Sequence, residues 1–140
     1  MMLILNKDLN GDYITRDKLI FGSYDEAKYF GGLRSFRCCR DLMKTLIEEN
    51  FASTREMQNC SPTIGEFMEI TEDSDCDITF ICYAISPERD DYRISIEGID
   101  IVIPDSDFDS VSHFVESFHG ADEFSFQHEE SNYYLHAWWD

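Results

Sequence analysis

At 140 residues the chain has the size of one domain, and with 43% hydrophobic and 14% aromatic residues it is too apolar to be a disordered acidic segment. A formal net charge of −18 argues against direct binding to nucleic acid or to an anionic membrane, because such a field repels phosphate and draws in basic partners. Met1 to Asn10 holds too short an apolar run for a signal peptide or a membrane span, and the five cysteines are odd in number and lack a C-x-x-C pair, so reduced thiols and a cytoplasmic location are expected.

In chain order, Met2 to Asn6 reads as a short strand, and Asn10-Gly11 as a hairpin turn into a second strand that continues to about Phe21. Ser23-Tyr24-Asp25-Glu26 has the pattern of a capping box, opening a short helix that ends at Gly31-Gly32. Leu33 to Asn50 carries the strongest helical pattern. Phe36, Cys39, Met43, Leu46 and Ile47 fall on one face at three- and four-residue spacing, and Arg34, Arg37, Arg40 and Lys44 cluster on another. This basic stripe reads chiefly as counter-charge or a solvated face, with a phosphate or carboxylate contact as its functional alternative. A further helix starts at Ser61-Pro62-Thr63, with Thr63 and Glu66 as a capping pair, and runs to about Thr71 with Ile64, Phe67 and Met68 inward. Glu72 to Asp77 is an acidic loop.

Asp77 to Ile85 is a nearly continuous apolar run, as expected of a central strand buried on both faces. Ser86 to Asp91 is a turn, after which Tyr92, Ile94 and Ile96 alternate with polar residues in a half-buried strand. Gly98 permits a bend or bulge, so Ile99 to Ile103 is either another strand or the rest of a kinked one, ended by Pro104. A helix follows from Asp105 or Ser106 to His119, with Phe108, Val111, Phe114, Val115 and Phe118 as its apolar face and Gly120 as its stop. Glu123 to Glu129 and Tyr133 to Trp139 close the chain as a hairpin around Glu130-Ser131-Asn132. The architecture is one α+β domain over residues 1–140, a mostly antiparallel sheet with helices packed on one face.

Few constellations carry chemistry. Asp105, Asp107, Asp109 and Glu116 occupy positions 1, 3, 5 and 12 of a calcium loop, but Ser110 stands where that loop needs glycine, and the apolar spacing demands a helix instead. Asp8, Asn10, Gly11 and Asp12 imitate only the opening of such a loop. His113, His119, His128 and His136 lack the spacing of a zinc motif, and nothing around the five cysteines resembles an activated thiol, which needs a positive environment or helix start that so acidic a chain rarely provides. No cofactor, metal or enzymatic activity is expected.

The last third, Ile94 to Asp140, is the distinctive stretch: eleven carboxylates and nine aromatic rings with no lysine or arginine. A segment so negative, yet able to build a core, suits a protein that is bound by something positive. Asp105, Asp107, Asp109 and Glu116 on the last helix, and Glu129, Glu130, Trp139 and Asp140 on the closing hairpin, are the expected partner-binding residues. Small size, reduced cysteines, strong acidity and the closing strand Tyr133 to Asp140 together resemble the immunity proteins of bacterial contact-dependent growth inhibition and related polymorphic toxin systems. That resemblance implies a protein partner, the toxin domain of a sibling cell's effector and most often a basic nuclease, whose active site or substrate surface is blocked. The alternative is a phage-type DNA mimic, an anti-restriction or anti-CRISPR protein, which calls for carboxylates in a long regular ladder rather than on a compact aromatic frame.

Overall fold

The computed structural model describes residues 12–89 and 93–140. The expected strand at Met2 to Asn6, its Asn10-Gly11 turn and the end of the turn after Ser86 lie outside the described residues.

The described chain opens with helix α1 (Tyr13–Phe21). This corrects the expected second hairpin strand, and the reason is tertiary. Arg16 and Asp17, adjacent in sequence, are both fully buried and joined at 2.7 Å. Ile20 and Phe21 lie against the core, where Phe21 meets Phe36 edge-on at 5.7 Å. Gly22, with φ of 86°, terminates the helix by donating its N–H to the Lys18 carbonyl, a stop signal that the Asn-Gly reading overlooked. The expected capping box resolves into a single 3-10 turn, Glu26–Lys28, in which Asp25 rather than Ser23 accepts from the Ala27 N–H.

The largest correction concerns Leu33 to Asn50, which is not one helix. It divides into strand β1 (Leu33–Cys38) and helix α2 (Arg40–Glu48), with Cys39 between them in extended conformation. Both periods fit the sequence locally, since Phe36 can pair on a face with Cys39 or with Cys38. Pairing decides between them. Phe36 lies opposite Cys82 and Cys38 opposite Phe80, both inward, while Ser35 and Arg37 face out. The basic stripe is thereby dispersed. Arg34 stacks its guanidinium 3.5 Å above the Phe21 ring, Arg37 joins Asp100 on the other sheet face, and Arg40 donates to Thr71 Oγ1 and the Met68 carbonyl.

Helix α3 (Ile64–Ile70) matches expectation closely, with Thr63 and Glu66 in a reciprocal capping box and Ile64 and Phe67 buried. Strand β2 (Asp77–Ile85) follows, then β3 (Ile94–Pro104) as one long strand. Gly98 marks an irregularity in it: Cys82 pairs with Ile96 and Ile81 with Gly98, so Glu97 is the extra residue of a bulge. A Cβ at Gly98 would lie 2.8 Å from the Ala137 carbonyl oxygen, so only glycine lets β5 approach this closely. Helix α4 (Phe108–Phe118), strand β4 (Glu123–Glu129) and strand β5 (Asn132–Trp138) complete the chain. Phe108 is a correction, being 72% exposed instead of inward, because it is the first residue of α4 and lies beyond the core. Gly120 takes no left-handed conformation; the Ala121 N–H returns to the Phe118 carbonyl and turns the chain.

The sheet is antiparallel throughout, ordered β1-β2-β3-β5-β4, so β3 rather than β2 is its centre. The fold is α+β. Phe36, Phe80, Ile96, Ile99, Ile101, Leu135 and Ala137 turn one face of the sheet toward the helices. There Phe67 of α3 contacts Phe80, Phe118 and Trp139 with ring centroids 5.6–5.9 Å apart. Each fully buried aromatic of this cluster contributes roughly 1.5–3 kcal/mol. On the opposite face Tyr83, Ile85 and Ser95 are buried as well.

Candidate functional site

The sheet has two ends, and they differ in charge. At one end β2 begins, β3 ends, and the β4–β5 turn closes. Asp77 pairs with Val102, Pro104 with Asn132, and Glu129 with Asn132, so three chain-distant segments converge there. The Asp105 N–H donates to the Ser131 carbonyl at 3.0 Å, and the Cys76 thiol approaches Asp107 Oδ2 at 3.9 Å. The result is an acidic pole formed by Glu72, Asp73 and Asp75 before β2 and Asp77 at its first position, Asp105, Asp107 and Asp109 at the start of α4, and Glu129 and Glu130 at the hairpin turn. Asp105 and Asp107 are half-buried and the others exposed.

Local chemistry fixes several of these groups. Asp107 is the N-cap of α4, accepting from the Ser110 N–H at 3.1 Å. Hydrogen bonds from the Ser110 side chain and backbone, with the Cys76 thiol adding to them, hold its carboxyl below the usual range. Asp105 accepts from the His128 ring at 3.1 Å. Glu130 adopts a left-handed φ of 58° in the two-residue turn.

Of the residues expected to bind a partner, Asp105, Asp107, Asp109, Glu129 and Glu130 meet at this pole. Glu116 is exposed on α4 but lies nine residues past Asp107, about 13 Å along the helix at 1.5 Å per residue. Asp140 is at the opposite end of the sheet, its N–H bonded to Asp122 at 2.8 Å. Trp139 is a correction: it is only 5% exposed and packs on Phe67 and Phe118, because the strand direction continues inward past Trp138. Its neighbour Trp138 takes the other face, where its indole N–H donates to Glu97. The sequence reads Glu72 to Asp77 as an acidic loop leading into a strand and leaves its acids out of the expected partner-binding residues. Sequence separation hid their role, since nothing local announces that Asp77 will pair beside Val102.

The histidines do not assemble. His136 donates to Asp100 at 2.6 Å, His128 to Asp105, His113 to the Ile70 carbonyl, and His119 to the Val115 carbonyl. Among the described residues no three His, Cys, Asp or Glu side chains are grouped as metal ligands, and the carboxylates of the calcium-like pattern serve as helix cap and surface charge. All five cysteines are free, Cys38 and Cys82 being buried with sulfurs 3.9 Å apart, and burial pushes the Cys82 thiol well up. No helix among the described residues is long and apolar enough to cross a membrane.

Several of the arginines, by contrast, are used within the fold, while Lys18, Lys28, Lys44 and Arg55 are exposed. Arg16 binds Asp17, the Ile85 carbonyl and Tyr29; Arg37 binds Asp100; Arg93 meets Glu56 at 3.3 Å and Tyr83; Arg40 caps the end of α3. Among the described residues no lysine or arginine forms an ion pair with a carboxylate of the pole, so its field has little local compensation. Comparison of the chain with protein-family models, with curated proteins and with solved structures finds no match.

Proposed function

We propose that the protein is an immunity-type inhibitor that binds and neutralises a cognate toxin domain, a basic nuclease, through its acidic pole. The observation that supports this reading is the convergence of carboxylates from three separate segments on one end of a rigid sheet, while the arginines described above bind within the fold. A nuclease has to present lysine and arginine to phosphate, so a fixed acidic surface accelerates its capture and covers the same groups that substrate needs. The pole is compact rather than a ladder along an elongated body, which favours a globular basic partner over mimicry of duplex DNA. The inhibitor acts by occupancy, in the cytoplasm where the toxin would arrive.

The test is a pull-down in buffer of low ionic strength with the toxin domain encoded upstream of this gene. Capture that weakens steeply as salt shortens the screening length from about 10 Å at 0.1 M to about 3 Å at 1 M supports the reading. If the neighbouring frame encodes no secreted effector and no basic toxin domain is retained, the reading is wrong. Selective capture of a DNA-reading enzyme, relieved by duplex DNA, would replace it with mimicry.

A further inference from the structure

The two edges of the sheet are not equally protected. The β1 edge is capped at its start by the Phe30–Leu33 bridge, and it carries Arg34 and Arg37. The β4 edge has none of these devices. Its seven residues pair with β5 in unbroken register, without bulge, proline, lysine or arginine, and no strand lies beyond it among the described residues.

The direction of its free hydrogen-bonding groups follows from the turn. A two-residue connection makes Glu129 and Asn132 a hydrogen-bonded pair, so alternate residues of β4 bond to β5 and the intervening ones turn outward. Phe124, Phe126 and His128 thus present N–H and C=O groups along the open edge. Their side chains lie on the helix-side face, where Phe126 stacks on Tyr133 at 4.8 Å. On the other face the same strand ends in Glu123 and Glu129, with Ser125 and Gln127 between them.

We propose that this edge accepts an extended strand from the partner, with basic residues opposite Glu123 and Glu129 and apolar residues beside Phe124 and Phe126. The inference rests on the reading of the protein as a binder of a basic partner, and adds the mode of binding: main-chain pairing that lengthens the sheet. Charge selects the occupant. A second copy pairing antiparallel about Phe126 would set Glu123 against Glu129 of its mate at both ends, which like-charge repulsion disfavours. A strand with lysine or arginine at both ends meets the opposite situation.

The experiment uses the full chain, isotope-labelled, with the end-blocked peptide Lys-Val-Thr-Val-Thr-Val-Lys and a twin N-methylated at its three valines. The twin keeps the charge but cannot form the ladder. We expect the first peptide to slow hydrogen exchange at the Phe124, Phe126 and His128 amides by roughly tenfold or more, and the twin to leave them unchanged. His128→Pro, which removes an outward N–H without touching the β5 ladder, should weaken the first peptide's effect. Equal effects from both peptides, protection confined to the acidic pole, or no protection at all would overturn the edge proposal and leave the toxin pull-down to judge the parent reading on its own. Protection of the same amides by raised protein concentration alone would overturn it in favour of self-association.

Discussion

The Cys76 thiol lies 3.9 Å from a carboxylate oxygen of Asp107, thirty-one residues away, and this contact joins the acidic loop before β2 to the first turn of α4. It makes one pole of two acidic segments, and it sets the design of the mutations that probe the pole. Asp107 is both a surface charge and a helix cap, so reversing its charge would confuse association with stability. Glu72 and Asp75, both exposed, have no such double role, whereas Asp109 sits in the first turn of α4. Glu72→Lys with Asp75→Lys should slow association with a basic partner by roughly three- to tenfold at low salt, with little change in dissociation or in the urea midpoint. Stopped-flow association at two ionic strengths checks this; equal rates for variant and parent would move the interface off the pole.

Acid titration should give a stability maximum on the acid side of neutrality. The folded pKa of Asp107 is lowered by the Ser110 hydrogen bonds, so its stabilisation is present above the ordinary carboxylate range and is lost as pH falls through the folded value. Glu56 behaves oppositely: burial raises it, with Arg93 pulling back, so the fold gains stability as pH falls from neutrality through its folded value. Partial neutralisation of the net −18 charge acts in the same sense as Glu56. Urea midpoints across pH should therefore rise on mild acidification and fall at lower pH. Glu56→Gln should reduce the rise, whereas Asp107→Asn, which keeps a capping oxygen, should reduce the acid-side loss. A flat profile between neutrality and mild acid would refute the assignment.

The adjacent tryptophans should separate cleanly. Trp139 is buried against Phe67 and Phe118, so Trp139→Ala is expected to cost about 3–5 kcal/mol, enough to threaten folding. Trp138 is half-buried on the sheet's other face with its N–H on Glu97, and Trp138→Ala should cost less than half as much. Chemical denaturation followed by circular dichroism measures both. Equal costs would mean that the two faces of β5 are packed alike.

The buried pair in α1 offers a third stability test. Arg16→Met leaves Asp17 without its guanidinium inside the fold, retaining only the Tyr29 hydroxyl at 2.6 Å, and should cost about 3–5 kcal/mol. Replacing both residues, Arg16→Met with Asp17→Leu, should recover much of that loss, since an apolar pair needs no compensation for desolvation. Failure of the double variant to recover stability would show that the contacts of Arg16 to the Ile85 carbonyl and Tyr29 matter more than the charge pair.

The amino-acid sequence determined the elements whose signals are local and agree with one another. Thr63 with Glu66 marks the start of α3, the apolar run Asp77–Ile85 is a strand, Gly98 is a bulge site, and the closing hairpin has its turn where expected. It also determined the charge asymmetry, which is simple composition. Tertiary structure decided everything that depends on what a segment meets. Leu33–Cys38 became a strand because β2 offered Phe80 and Cys82 as partners, and Tyr13–Phe21 became a helix that seats Arg16 beneath the Ile85 carbonyl. Trp139 went inward for the same reason. The candidate site divides likewise: five of the eight expected residues meet at one pole, yet Glu72, Asp73, Asp75 and Asp77 joined them only through strand pairing that no local pattern encodes. Periodicity reports which residues share a face, whereas only packing fixes which faces meet.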